Sequence, residues 1–181
     1  MRSFTGIVVC ALALPWFGCA SDQPPAGIAE PVPEWAQQFS VVTHDGDLYF
    51  AGLPTRAGLA TAIDDGVTTV VSLLPEAEEK RVLQFDEAAE VESHGARFVR
   101  IPVTAESFSA ADVDAFANAW AESDGKVLMH CASANRVGGM WAAYLIRHAS
   151  MPQGEALGAG IHAGLNSQGM VDAVKRVAST P

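Results

Sequence analysis

Apolar positions recur along this chain with a changing period, and the period predicts the element. Residues 38–42 and 48–51 are two short apolar-rich runs on either side of His44-Asp45-Gly46-Asp47, and Asp-Gly between such runs predicts a β-hairpin. Between Arg56 and Asp65 the apolar Leu59, Ala62 and Ile63 return at helical spacing, with Gly66 as the stop. Residues 68–74 form an unbroken β-branched and aliphatic run, the pattern of a strand covered on both faces. A helix over 85–93, ending near Gly95, and a strand over 97–103 come next. Ser109 reads as an N-cap with Asp112 three residues on, and Val113, Phe116, Ala117 and Trp120 make one apolar stripe behind it. Residues 126–129 predict a short buried strand. Val137, Met140, Trp141, Tyr144 and Leu145 predict a deeply packed helix after it, and helices over 153–162 and 167–178 complete the pattern. Strands alternating with helices predict an α/β fold: a central, mostly parallel sheet flanked by helices.

The N-terminal part breaks this pattern. Arg2 supplies a positive start, residues 7–14 an apolar stretch, and Gly18, Cys19 and Ala20 a small-residue boundary, which together read as an export signal. The apolar run is shorter than the roughly 20 residues a spanning helix needs. Gly-Cys after such a run resembles a bacterial lipoprotein signal, which implies Cys19 as the acylated first residue of the mature chain. Trp16 stands where that signal usually has Leu. Ordinary cleavage after Ala20 and an uncleaved anchor are the competing readings. Residues 21–34 contain Pro24, Pro25, Pro31 and Pro33 without hydrophobic periodicity, as an extended tether does. The expected organisation is a signal over 1–19, a Pro-rich tether over 20–36 and one domain over 37–180. The expected location is the periplasmic face of a bacterial membrane as a lipoprotein, or the periplasm itself.

Composition narrows the function classes. The chain has 181 residues and is 49% hydrophobic, enough for a real core, which excludes a disordered tail or a disulfide-stapled miniprotein. Eleven Lys and Arg stand against 21 Asp and Glu, a net charge of −10, and this argues against a nucleic-acid partner. Cys10 and Cys19 fall in the N-terminal segment, leaving Cys131 as the sole thiol of the folded body. An unpaired thiol in an oxidising compartment is better explained by chemistry than by packing.

The informative stretch runs from Val127 through His130-Cys131-Ala132-Ser133-Ala134-Asn135-Arg136 to Gly138-Gly139, a strand, a loop of small residues and a buried helix in direct succession. Such a loop turns several backbone N–H groups into one concavity, and the helix dipole adds positive potential there. Helix N-termini and cationic neighbours favour the thiolate form of a cysteine. Arg136 can hold two oxygens through its planar fork. Nucleophile and anion cradle thus coincide.

These residues resemble the cysteine-dependent phosphatases, with their His-Cys…Arg signature, and more closely the bacterial beta-lactamase-hydrolase-like phosphatase domains of the dual-specificity type. Asp47-Leu48-Tyr49-Phe50-Ala51-Gly52-Leu53-Pro54, the strand before Leu74, Ile101-Pro102-Val103 and the His130 segment fall in that family's order, over about residues 40–165. The resemblance implies a phosphomonoester hydrolase with Cys131 as nucleophile and Arg136 as phosphate clamp. It implies His130 as the residue acting on the thiol from behind the loop, and Ala132, Ser133, Ala134 and Asn135 as backbone donors to substrate. For the general acid it points to the loop after Ile-Pro-Val, where Glu106 is the nearest carboxylate. Asp112 is the weaker candidate, since capping explains it. The partner expected is a phosphorylated protein or small molecule, bound by a monomer that meets a membrane only through a lipid on Cys19. No cofactor is expected. His44, His94, His148 and His162 show no metal-ligand spacing, so no metal is expected either.

Three departures leave alternatives open. Four residues, not five, separate Cys131 from Arg136, a spacing shared with rhodanese-type sulfurtransferases, whose loop holds a persulfide. Ala134 stands where a loop glycine is common, and costs about 1 kcal/mol or more if that position needs positive φ. Val137 replaces the Ser or Thr that follows the arginine in phosphatases. Sulfur transfer and a catalytically silent anion-binding module are therefore the competing functions.

Overall fold

The computed structural model describes residues 32–179. The expected signal, with Cys10 and Cys19, and residues 20–31 of the expected tether lie outside the described residues. Five strands form one sheet: β1 (Val42–Asp45), β2 (Leu48–Ala51), β3 (Val67–Ser72), β4 (Arg97–Arg100) and β5 (Lys126–His130), in the order β1-β2-β5-β3-β4. Only β1 runs antiparallel to its neighbour; β2, β5, β3 and β4 are mutually parallel. The expected α/β architecture is thus present, with β5 at the centre.

Period-two alternation along the central strands divides the core in two. Leu48, Phe50, Val71, Val127 and Met129 face one side of the sheet and pack with α4 (Ala110–Ala121), α5 (Asn135–Arg147), α6 (Gln153–His162) and α7 (Gln168–Ala178). Tyr49, Ala51, Val70 and Leu128 face the other, against Leu59 and Ala62 of α1 (Arg56–Asp64) and Val91 of α3 (Glu87–Ser93). The helix after β5 is the most enclosed: eight consecutive or near-consecutive residues from Val137 to Leu145 are buried. It meets α6 almost backbone to backbone. A Cβ on Gly138 would lie 2.3 Å from the Gly160 carbonyl oxygen and 2.3 Å from the Leu165 nitrogen, so only glycine fits there.

Several expected boundaries move, each for a local reason. The first hairpin strand is Val42–Asp45 rather than 38–42, because the two-residue turn is Gly46-Asp47 with Gly46 at φ +56, pairing Asp45 with Leu48. The stretch before it instead makes a 3-10 turn at Glu34–Gln38 that buries Trp35 and Ala36, so packing begins two residues earlier than the expected domain start at 37. The fourth strand ends at Arg100, since Pro102 has no N–H to continue the ladder; Ile101 and Val103 still donate to Ser72 and Leu73 at 2.9 and 3.2 Å. An additional helix, α2 (Glu76–Val82), lies between β3 and α3. Its signals are Pro75 before the first turn, Glu76, Glu78 and Glu79 in that turn, and Lys80 and Arg81 in the last, the charge order that complements a helix dipole.

Candidate active site

The C-terminal end of β5 delivers His130 and Cys131, and the chain then turns into α5 within three residues. Two main-chain bonds pin the strand end: Leu73 N–H donates to the His130 carbonyl at 2.9 Å, and Cys131 N–H donates to the Ala51 carbonyl at 3.2 Å. Ser133 forms an isolated antiparallel bridge with Gly52 and is exposed. Ala134 caps the helix at φ 63, ψ −6, in the left-handed region. The position does require positive φ, so the alanine carries a strain of about 1–2 kcal/mol at the mouth of the cradle. Gly164 backs it, with no room for a side chain: a Cβ there would lie 2.6 Å from the Ala134 Cβ. Gly138 is the first residue of α5 to donate within the helix, to the Ala134 carbonyl at 2.9 Å. The amides of Asn135, Arg136 and Val137 precede it and are the orphan donors of the helix start.

Cys131 is buried beside Arg136. The Cys131 side chain is among the neighbours that raise the guanidinium's pKa. Arg136 is also gripped from outside the loop. Its two terminal nitrogens donate to the two carboxylate oxygens of Glu78, each at 2.8 Å, and Nη1 donates to the Val103 carbonyl at 3.2 Å. Burial alone would lower the arginine's pKa, but the Glu78 bond and the Cys131 charge outweigh it and hold the group above its ordinary value. Glu78 is shifted the other way: the Arg136 bond lowers its carboxyl more than burial raises it. Of the five guanidinium donors, Nε–H and one Nη2–H remain for a ligand, and they lie on one edge of the fork.

Asn135 is committed to structure. Its Oδ1 accepts from the amides of Asn166 and Ser167 at 2.9 and 3.0 Å, and its Nδ2 donates to Ser167 Oγ at 2.9 Å. That ties the loop between α6 and α7 to the cradle and leaves the Asn135 backbone amide as the group this residue can offer an anion. Val137, at the position of the usual Ser or Thr, is fully buried in the core.

His130 is fully buried on the opposite face of the sheet, where its Nε2 lies 2.5 Å from Oε1 of the equally buried Glu87 at the start of α3. Glu106 sits on an exposed turn over residues 105–107. Its own backbone N–H and then the Thr104 hydroxyl hold its carboxyl below the ordinary range. Arg176 of α7 braces this loop by donating to the Ala105 and Phe108 carbonyls at 2.9 and 3.2 Å. Asp112 accepts from the Ser109 amide and hydroxyl, both at 2.8 Å, which is the capping role.

Sequence reasoning did not find Glu78 or Glu87, although both sit in the first turn of a helix, where a carboxylate complements the dipole. Two clefts, of 750 and 520 Å³, lie at Trp35 to Asp65 and between Lys80, Phe85 and Arg100; neither is lined by Cys131 or Arg136.

No protein-family model matches the chain, and no curated protein does. Solved structures match it. A candidate phosphatase of the DUF442 group from Shewanella putrefaciens CN-32 is 21% identical, with a TM-score of 0.67 over 81% of this chain and 96% of that one. The candidate phosphatase nma1982 of Neisseria meningitidis z2491 is 26% identical, with a TM-score of 0.61 over 75% and 96%. TpbA of P. aeruginosa is 26% identical, with a TM-score of 0.55 over 72% and 78%, and one form of it was solved in complex with pTyr. The fold is therefore that of the DUF442 and dual-specificity-type phosphatases. Its structural neighbours are phosphatases, in keeping with a hydrolase of phosphoric monoesters.

Proposed function

We propose that this chain is a cysteine-dependent phosphomonoester hydrolase, and the observation that carries the reading is the convergence of Cys131, Arg136 and the orphan amides at one helix start. Cys131 Sγ attacks phosphorus and forms the P–S bond as the P–O bond to the leaving group breaks. The leaving oxygen takes its proton from Glu106. The free edge of Arg136 and the amides of Asn135, Arg136 and Val137 hold the equatorial oxygens as their charge grows. Water then attacks the thiophosphate and passes a proton to the Glu106 carboxylate, and the P–S bond breaks, which releases inorganic phosphate and restores both the thiolate and the Glu106 acid. Glu78 fixes the guanidinium plane throughout, so the arginine does not have to be ordered at the moment of reaction.

Hydrolysis of p-nitrophenyl phosphate by the full chain in reductant, compared with Cys131→Ser, tests this. Turnover that the serine variant lacks supports it. Equal rates overturn it, and a thiosulfate-dependent persulfide on Cys131 in the absence of hydrolysis would install sulfur transfer in its place. For the N-terminal segment we propose export and acylation at Cys19, on the strength of the Gly18-Cys19 boundary alone. Incorporation of labelled fatty acid that Cys19→Ala abolishes supports this, and labelling that survives the substitution overturns it.

A further inference from the structure

We propose that Arg176 is a positioning residue for Glu106: its guanidinium fixes the acid-bearing turn to α7, the helix whose start is bonded to the Cys131 loop. The inference rests on the reading of Cys131 as nucleophile and Glu106 as acid. It begins from a turn that holds its own shape but not its own place. Thr104 N–H donates to Ser107 Oγ at 3.0 Å, Ser107 N–H to Thr104 Oγ1 at 3.1 Å and Phe108 N–H to the Thr104 carbonyl at 3.0 Å. Reciprocal bonds of this kind close a turn on itself. They do not settle where the turn stands, and Thr104, Glu106 and Ser107 are all exposed.

Arg176 bonds the turn on both sides of the acid. Its Nη2 donates to the Ala105 carbonyl, one residue before Glu106, at 2.9 Å and to the Phe108 carbonyl, two residues after it, at 3.2 Å. Hydrogen bonds from a charged donor are stronger than those between neutral groups, and the planar guanidinium loses little freedom in making them. Gly169 lies seven residues before Arg176, on the same face of α7. A Cβ there would stand 3.9 Å from the Ala105 Cβ, so the turn lies beside the start of α7 while the last turn of that helix bonds it. Long side chains on a helix run back toward its N-terminus, which carries the Arg176 stem along this face. The Arg176 charge also adds, behind the Glu106 amide and the Thr104 hydroxyl, to the stabilisation of the Glu106 carboxylate.

The start of α7 belongs to the nucleophile loop. Ser167 Oγ accepts from Met170 N–H at 3.3 Å and from Asn135 Nδ2 at 2.9 Å, and Ser167 N–H donates to Asn135 Oδ1 at 3.0 Å. Between these two ties, Met170, Ala173 and Val174 are buried in the core. One packed helix of 11 residues therefore holds the cradle loop at its first turn and the acid turn from its last. The Val103 carbonyl, bonded to Arg136 Nη1 at 3.2 Å, fixes the near end of the acid segment to the cradle, and Arg176 fixes the far end. A general acid must stay within hydrogen-bond reach of the leaving oxygen, and a misplacement of about 1 Å can cost about 10²-fold. Arg176 thus makes the spacing of acid and nucleophile a property of a helix instead of an exposed loop.

The test uses the full chain in reductant and compares Arg176→Met, which keeps the aliphatic stem, with Arg176→Lys, which keeps the charge. Hydrogen exchange comes first, because it needs no activity. The Ser107 and Phe108 amides are expected to exchange about tenfold faster in Arg176→Met than in the wild type, with α5 unchanged. Equal exchange with wild-type turnover intact overturns this proposal alone; absence of hydrolysis by the wild type overturns the phosphatase reading and the proposal with it. The second readout is kcat/KM. Arg176→Met is expected to lose about tenfold or more on β-glycerophosphate, whose alkoxide leaves poorly, and less than about threefold on p-nitrophenyl phosphate. Inhibition by inorganic phosphate should stay within about twofold, since the Arg136 cradle is untouched. Arg176→Lys is expected to recover part of the loss, and it carries the comparison if Arg176→Met does not fold. In a Glu106→Gln background, Arg176→Met is expected to cost nothing further. An arginine that served stability alone would lower both backgrounds alike, and that result overturns the proposal, as does a loss equal on the two substrates.

Discussion

Glu78 and Arg136 close a two-bonded pair across 58 residues of chain, each carboxylate oxygen meeting one terminal nitrogen at 2.8 Å. The pair occupies the end of the guanidinium and leaves the edge formed by Nε–H and one Nη2–H outside it. A lysine in place of Arg136 could keep the charge but could not serve Glu78, the Val103 carbonyl and an anion together. Arg136→Lys is therefore expected to reduce kcat/KM for an aryl phosphate by about 10²–10³-fold, the range seen on removing one preorganised donor. Glu78→Gln keeps the shape and loses the charge. The expected loss is about tenfold, because the guanidinium is no longer held in plane. Steady-state kinetics on the two variants, with vanadate affinity as an independent readout of the cradle, checks the ranking.

Glu106 has a pH consequence whose sign is set by its surroundings. Its own amide and the Thr104 hydroxyl stabilise the carboxylate and so depress its pKa. A proton donor must be protonated, so kcat/KM governed by Glu106 declines as pH rises through that depressed value, and the optimum falls on the acid side. Glu106→Gln should abolish this decline. The loss of rate should grow with the pKa of the leaving group, reaching about 10²-fold or more for alkyl phosphates and remaining small for p-nitrophenyl phosphate. A wild-type profile flat from pH 5 to 8 would remove Glu106 from the mechanism.

The parts of this site that were legible in the sequence are those within one continuous turn of chain. Cys131 and Arg136 are separated by four residues, so a strand, a tight loop and a helix necessarily bring them to one point, and the small residues between them announce the turn. The sequence raises positive φ at Ala134 only as a condition, from the glycine common there in the family the loop resembles, and the structure meets it at φ 63. Glu78 and Glu87 were not legible, because their roles are set by partners brought in through the sheet order. Since β3 lies beside β5, the helices that succeed β3 end next to the loop that succeeds β5. Nothing in the local sequence distinguishes Glu78 from Glu76 or Glu79, yet one grips Arg136, one pairs with Lys80 and one with Arg100. The hairpin shift has the opposite origin, a purely local one, since either Asp45-Gly46 or Gly46-Asp47 can form a two-residue turn and only the pairing of Asp45 with Leu48 decides.

The Glu78 pair also links stability to pH. Its folded pKa is lowered, chiefly by the Arg136 bond, so its contribution is complete above the ordinary glutamate value of about 4.3 and is lost as pH falls through the lower, folded value. Thermal unfolding followed from pH 6 to pH 3 should show a steeper loss for the wild type than for Glu78→Gln, which cannot titrate. Parallel curves for the two proteins would mean that the pair contributes nothing to folding.

Gly164 supports the cradle from behind and should tolerate no side chain. Its φ of +111 is glycine territory, and an added Cβ would meet the Ala134 Cβ at 2.6 Å and the Ala134 carbonyl oxygen at 3.0 Å. The atoms it would strike are main chain and a buried methyl of the loop itself, so they can yield only by moving the residue that caps α5. Gly164→Ala combines backbone strain of about 1–3 kcal/mol with this overlap, for a total expected loss of about 2–4 kcal/mol in unfolding free energy. Because the displaced residue is Ala134, the damage should extend to function: vanadate affinity should fall by at least tenfold in the fraction that remains folded. Gly158, in α6, has open space around its position. Gly158→Ala is the matched control, expected to leave vanadate binding unchanged and, by the ordinary helix preference for alanine, to raise stability by about 0.5–1 kcal/mol. Equal effects of the two substitutions in chemical denaturation would refute the assignment of Gly164 to the support of the loop.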